Sequence, residues 1–155
     1  MAKAQDLKLP PQDLDAEQSV LGALMIDKDA IFSVADILTP PDFYKKAHSL
    51  IFEAILKLWE RHEPIDILSV TAELRKNDKL KEIGGSAYLS ELVNSVPTSS
   101  HVLHYGKIVK EKRVLRELIN ASAEITESAF HPEDDLESIL DLVEQRIFSI
   151  SQPFI

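Results

Sequence analysis

The residues of this chain that could do chemistry are five histidines, His48, His62, His101, His104 and His131, and a scatter of carboxylates, with no cysteine to join them. A zinc centre needs three or four converging ligands. Only His101 and His104 stand one helical turn apart, and no H-E-x-x-H string occurs, so the spacing builds no such centre. Asp42 and Asp66 suggest a carboxylate pair, but each precedes a helical stretch, where its side chain would cap free N–H groups. Gly84-Gly85 is followed by no lysine and preceded by no strand pattern, so a tight turn is expected there rather than a phosphate cradle. The nucleotide-binding string G-x-x-x-x-G-K-[ST] does not occur. The expectation is a chain without catalytic, cofactor-binding or metal-binding residues.

These residues are set among apolar positions that recur at helical spacing. Asp15, with Gln18 three residues on, reads as a capping box opening a first helix whose apolar face is Val20, Leu21, Leu24 and Met25. Ile31, Val34, Ala35 and Leu38 predict a second, short helix stopped before Pro40-Pro41. From about Lys46 to Arg61, a stripe of Leu50, Ile51, Ala54, Ile55 and Leu58 is widened by Phe52, Leu56 and Trp59, which predicts a helix at the centre of a bundle. Pro64 ends it, Asp66 caps the next helix through about Asn77, and the glycine pair turns the chain into a helix carrying Tyr88, Leu89 and Leu92. Ser95 to Ser100, SVPTSS, interrupts the periodicity. Beyond it, apolar residues from Val102 to Ala129 trace one helix of about eight turns. His131-Pro132 ends that helix, and after Asp134 as cap, Leu136, Ile139, Leu140, Val143, Ile147 and Ile150 mark a second helix running back.

The expected fold is therefore all-α: a tail over 1–12, a small helical globule over 13–97, a long antiparallel helical hairpin over 98–151 and the start of a linker over 152–155. Two helices joined only to each other cannot cover both of their stripes, so surplus apolar surface such as Leu115, Leu142 and Phe148 should seek a partner.

A surface built to grip DNA phosphates would be basic, whereas this chain of 155 residues carries a net charge of −9. The charge is unevenly spread. Lys107, Lys110, Lys112, Arg113 and Arg116 cluster, interleaved with Glu111 and Glu117, while the stretch from Glu133 to Glu144 is acidic. Both can be solvated helix faces, or surfaces for a charge-complementary partner, with the basic cluster as the place for any weak DNA contact. The absence of cysteine fits a reducing compartment, and no charged leader or apolar run of ~20 residues supports export or membrane spanning, so cytoplasmic location is expected.

The run Asp13 to Asp27, DLDAEQSVLGALMID, with Pro10 and Pro11 upstream, resembles the opening of the N-terminal domain of bacterial replicative DNA helicases of the DnaB family. The resemblance continues through Asp42-Phe43-Tyr44, His48 with Ile51-Phe52 and Ala54, Pro64-Ile65-Asp66, Gly84-Gly85 with Tyr88-Leu89 and Leu92, Pro97-Thr98, Tyr105, Ile108-Val109, Arg116 with Leu118-Ile119, and Glu144 before Ile147-Phe148. Glu17, His48 and Glu144 match family positions without implying catalysis. The resemblance implies a helical globule followed by a hairpin, with hairpins pairing between subunits so that the domains form a collar of three dimers on a hexameric ring. It also implies docking of the helicase-binding domain of primase and of helicase loaders, in the replication machinery on the nucleoid. Tyr105, Val109, Leu115, Leu118 and Ile119 are the residues expected on the pairing helix, the alternative for each being core within the hairpin. The ATP-dependent, magnesium-requiring motor that unwinds DNA would lie in a domain outside this sequence, with single-stranded DNA met weakly here or through the whole protein. A free-standing helical adaptor with the same fold is the rival from another class, and a metal-dependent hydrolase a more distant one.

Overall fold

The computed structural model describes residues 9–96 and 98–153. Most of the expected tail, Pro97 of the expected boundary segment and residues 154–155 of the expected linker lie outside the described residues. Among those described there are seven α-helices, a 3-10 turn and no strand: α1 (Leu14–Ile26), α2 (Ile31–Val34), the turn Pro40–Asp42, α3 (Lys46–Glu60), α4 (Ile67–Lys76), α5 (Gly85–Asn94), α6 (Val102–Phe130) and α7 (Leu136–Ser151). No helix among them is long and apolar enough to cross a membrane. The described residues divide into two compact units, Gln12–Lys110 and a second made of residues 9–11 and 111–153.

The first unit is built around α1. Val20, Leu21, Ala23 and Leu24 are all buried on successive sides of the helix, the pattern of an element enclosed by its neighbours rather than lying on a surface. It packs on α5 and α3, and α3 supplies Ile51, Phe52 and Ile55 to the same core while Glu53 and Glu60 face water. The wide stripe of α3 thus shares the centre of the bundle with α1. Phe43 adds its ring to Phe52 at a centroid separation of 4.9 Å. α2 is shorter than its apolar spacing predicts: Ala35 to Ile37 continue as a turn, because Pro40 and Pro41 follow too closely for another helical turn.

Close approach of α1 to α5 depends on Gly22. A Cβ at this position would stand 2.4 Å from Val96 Cγ2 and 2.5 Å from the Leu92 carbonyl oxygen, so the backbones would have to part. Gly22→Ala is expected to cost about 1–3 kcal/mol despite alanine's better helix propensity. An unchanged urea midpoint would show that the helices can separate without loss.

Caps differ from expectation in two places. Asp13, not Asp15, is the N-cap of α1, its Oδ1 accepting the Ala16 N–H at 2.9 Å. The earlier start carries Glu17 into the helix, where its side chain is buried. Asp135, not Asp134, caps α7, accepting the Ser138 N–H at 3.1 Å. With adjacent carboxylates either could serve; the register chosen turns Ile139, Val143 and Ile150 inward. Asp66 caps α4 as its position implies, through the Ser69 N–H.

The second unit is the hairpin of α6 and α7. Ala121 and Ile150 are buried, and ion pairs join the two helices and set their register: Arg146 donates to Glu117 at 3.1 Å and Glu124 at 2.9 Å, while Arg113 donates to Glu117 at 3.1 Å. Such half-exposed pairs add little stability singly but select one alignment from the several that two apolar stripes would allow. Arg116 donates to the Pro11 carbonyl at 2.7 Å, which ties Pro11 to α6.

The division falls at Lys110, beyond the boundary expected at residues 97 and 98. Val102, Tyr105, Ile108 and Val109 belong to the core of the first unit, although they continue the apolar stripe of α6. One helix spans both units, so its periodicity carries no mark of where its partner changes.

Candidate functional site

Two features of the structure could carry function: a buried polar cluster in the first unit and an apolar face on the hairpin. The cluster joins Glu17 of α1, His48 of α3 and Tyr88 of α5. His48 is wholly buried, with Nδ1 2.7 Å from Glu17 Oε1 and Nε2 2.6 Å from the Tyr88 hydroxyl. Glu17 also accepts the Tyr44 N–H at 2.8 Å, with the Lys45 N–H at 3.4 Å. The carboxylate accepts on every side, which places the imidazole proton on Nδ1. Lys45 Nζ donates to the Tyr88 oxygen at 3.3 Å and lies over its ring, leaving the phenol hydrogen for His48 Nε2.

Local sequence explains how the three meet. His48 lies on the same helical face as Ile51 and Ile55, so it points inward with them. Gly84 and Gly85 take φ of +104° and +76°, which lets the chain reverse directly into α5 and sets Tyr88 one turn into that helix. The arrangement resembles a carboxylate–imidazole–hydroxyl relay, but both imidazole nitrogens are committed and the ring has no access to solvent. What it does is structural: the N-terminus of α3 has no side-chain cap of its own, and Glu17 supplies one from another helix, with its charge at the positive end of the dipole. Each of Glu17, His48 and Tyr88 stood out singly in the sequence; their convergence did not, because it depends on three helices meeting.

The remaining histidines do not gather. His62, His101, His104 and His131 are exposed, and among the described residues no group of three or more His, Asp or Glu side chains is placed to hold a metal ion. Asp66 acts locally, whereas Asp42 accepts the Thr39 N–H at 2.8 Å and also pairs with the distant Lys110 at 3.3 Å.

Residues expected on the pairing helix fall into two sets. Val109 is 1% exposed, and Tyr105, half-buried, packs against the same core. Leu115, Leu118 and Ile119 are 44%, 39% and 54% exposed, on the second unit. Leu142, Ile147 and Phe148 of α7 are exposed as well, as the surplus of the stripe implied. The basic residues form no single patch: at about 100° per residue, Lys107, Lys110, Lys112, Arg113 and Arg116 spread over more than half the helix circumference. Lys110, Arg113 and Arg116 are engaged by Asp42, Glu117 and the Pro11 carbonyl.

The family model described as DnaB-like helicase N terminal domain matches residues 9–111. The replicative DNA helicase DnaB of Geobacillus stearothermophilus is 45% identical over 145 residues, which cover 94% of this chain and 32% of that protein. The replicative DNA helicase DnaC of Bacillus subtilis (strain 168) is 41% identical over 145 residues, again 94% of this chain and 32% of the relative. The chain thus spans about a third of the length of these relatives. Among solved structures, the N-terminal domain of DnaB helicase from Mycobacterium tuberculosis superimposes with a TM-score of 0.87 at 40% identity, over 91% of this chain and 99% of that one. A DnaB-like replicative helicase, solved in a study of its interactions with primase, gives a TM-score of 0.74 at 25% identity over 89% of this chain and 31% of that chain.

Proposed function

This chain belongs to the DnaB-like helicase N-terminal domain family, and from that premise we propose that it serves as the non-catalytic assembly and partner-docking part of a replicative DNA helicase. The observation that carries the reading is the hairpin: Leu115, Leu118, Ile119, Ile147 and Phe148 leave an apolar face in water that a folded domain of this size has no internal use for. Pairing of such faces between copies would give dimers, three of which make a collar on a hexamer. Primase, through its helicase-binding domain, is the first partner we infer, since a relative of the same fold was solved in the context of its interactions with primase. A helicase loader is the second.

ATP and magnesium would be bound by a motor domain of the whole protein, where the unwinding reaction would take place on single-stranded DNA. This chain's own contact with DNA would be weak, given its charge of −9 and the engagement of Lys110, Arg113 and Arg116 by neighbouring groups. The setting would be the cytoplasm, at the nucleoid.

Sedimentation of the chain with and without the helicase-binding domain of a bacterial primase tests the proposal. A mass above that of one chain at high micromolar concentration, and a joint species with the primase domain, are the expected results. A chain that stays monomeric and forms no joint species would overturn it; self-association alone would retain assembly and remove primase docking.

A further inference from the structure

The outer face of α4 differs in character from the rest of the first unit. Val70, Thr71 and Leu74 turn into the core, which leaves Leu68, Ala72, Arg75 and Lys76 exposed, all within about a third of the helix circumference at 100° per residue. Leu68, at 80%, is the most exposed of the large apolar side chains among the described residues. Arg75 and Lys76 close the helix at its other end, about 12 Å away at 1.5 Å per residue. Lys79 and Lys81 follow at once. Asp78 takes a φ of +60° and the Lys79 N–H donates to the Leu74 carbonyl at 2.8 Å, so the chain folds back at the helix end. Four exposed cations thus fall between Arg75 and Lys81 in a chain whose net charge is −9. Asp78 and Glu82 stand among them, Glu82 pairing with Lys79 at 3.8 Å, while Glu73 is buried and held by Arg61 and Asn77. Among the described residues Arg75, Lys76 and Lys81 form no ion pair. Cations in a last turn suit the helix dipole, which accounts for Arg75 and Lys76. It accounts neither for Lys81, beyond the helix end, nor for Leu68.

We propose that the outer face of α4 is a docking site for a short acidic segment of a partner protein that carries an apolar anchor at one end. The cations and the exposed leucine lie at opposite ends of one face, so a segment is recognised by carboxylates at one end and an apolar side chain at the other. Arg75 presents a fork that a carboxylate matches with two hydrogen bonds, and the lysines add charge without fixing direction. A face of about 12 Å spans roughly four extended residues at 3.3 Å each, so the contact is small, weak and reversible. Nucleic acid fits less well. Its phosphates would meet the cations but have no use for Leu68, and a strand running further along α4 would reach Asp66 and Glu63, which precede the helix. This surface belongs to the first unit and stands whether or not the hairpin pairs or primase docks.

The test titrates the whole isotope-labelled chain with a short synthetic peptide of aspartate and glutamate bearing leucines at one end, made in both chain directions. Amide chemical shifts map the contact, and fluorescence anisotropy of the labelled peptide gives the affinity. One-to-one saturable binding that weakens with salt is expected, with shifts concentrated in residues 66–82. Peptides with serine for leucine, or with lysine for the acids, and an oligothymidine of matched length should each bind at least about fivefold more weakly. Arg75→Ala with Lys76→Ala, and separately Leu68→Ser, are each expected to weaken binding about three- to tenfold at unchanged helicity. Lys28→Ala with Lys46→Ala removes the same charge elsewhere on the first unit and should leave affinity within about twofold. Equal weakening by the two lysine and arginine variants would mean diffuse charge attraction, an unaffected Leu68→Ser would mean that the apolar end is not used, and equal binding of the oligothymidine would make the surface a nucleic-acid contact. Any of these overturns the proposal, as does the absence of saturable binding. Should a variant lose helicity, the shifts on the unaltered chain decide: those within residues 66–82 support the site, and those centred elsewhere refute it.

Discussion

Replacing Glu17 by alanine is expected to lower the unfolding free energy by about 3–5 kcal/mol, the range found when one partner of a buried polar pair is removed. The carboxylate is 2% exposed and is the acceptor for His48 Nδ1 and the Tyr44 N–H. Its loss strands these buried donors, each worth about 1–3 kcal/mol when unsatisfied, and leaves a cavity against a core with little room to collapse. Against a total stability of about 5–15 kcal/mol for a domain, the substitution takes away a large share. Glu17→Gln keeps the shape and one acceptor oxygen, and should lose less. Tyr88→Phe, at the half-buried end of the chain of hydrogen bonds, should lose about 1 kcal/mol. Urea unfolding followed by circular dichroism measures all three; a loss below about 1 kcal/mol for the alanine variant would mean that water replaces the carboxylate and the cluster is no clasp.

The second large effect concerns association. Leu118→Ser combined with Ile119→Ser is expected to weaken self-association by about 2–4 kcal/mol, or roughly one to three powers of ten in the dissociation constant. These side chains are 39% and 54% exposed within one chain, so a large apolar area on each is left for another copy to cover. Helicity should hold. Val109→Ser makes the contrast: with 1% exposure it should unfold the first unit rather than dissociate an intact one. Sedimentation equilibrium and circular dichroism read the two outcomes separately. If the double variant keeps the parent's mass at every concentration, the pairing face lies elsewhere.

Much of this architecture is legible in the residues. The apolar spacing of α3, the Asp66 cap, the Gly84-Gly85 turn and the two long terminal helices all follow from local rules, because helix formation and its punctuation are local events. The exposure of Leu115, Leu142 and Phe148 follows too, from the simple fact that two helices have more apolar surface than they can share. What resisted was anything decided by a distant neighbour. Tyr105 and Val109 read like Leu118 and Ile119 along the stripe, yet the first pair meets the core of Gln12–Lys110 and the second does not. Glu17 reads as an ordinary first-turn acid, and nothing near it announces that it will cap a helix beginning some thirty residues later. The contest between neighbouring Asp13 and Asp15, or Asp134 and Asp135, turned on helix register, which the packed faces determine.

The Glu17–His48–Tyr88 clasp has a consequence in time. Glu17 and His48 are 31 residues apart and His48 and Tyr88 a further 40, so both links close long loops and neither can form by local search. For a chain emerging from the ribosome, α1 and α3 are in place well before Tyr88 arrives, and α3 waits without a cap of its own until α1 folds against it. The α6–α7 pair, linked by a turn of a few residues, closes quickly once synthesised. The α6–α7 pair is therefore able to order itself as soon as it is made, whereas the completion of the unit around α1 is held back until Tyr88 has been translated.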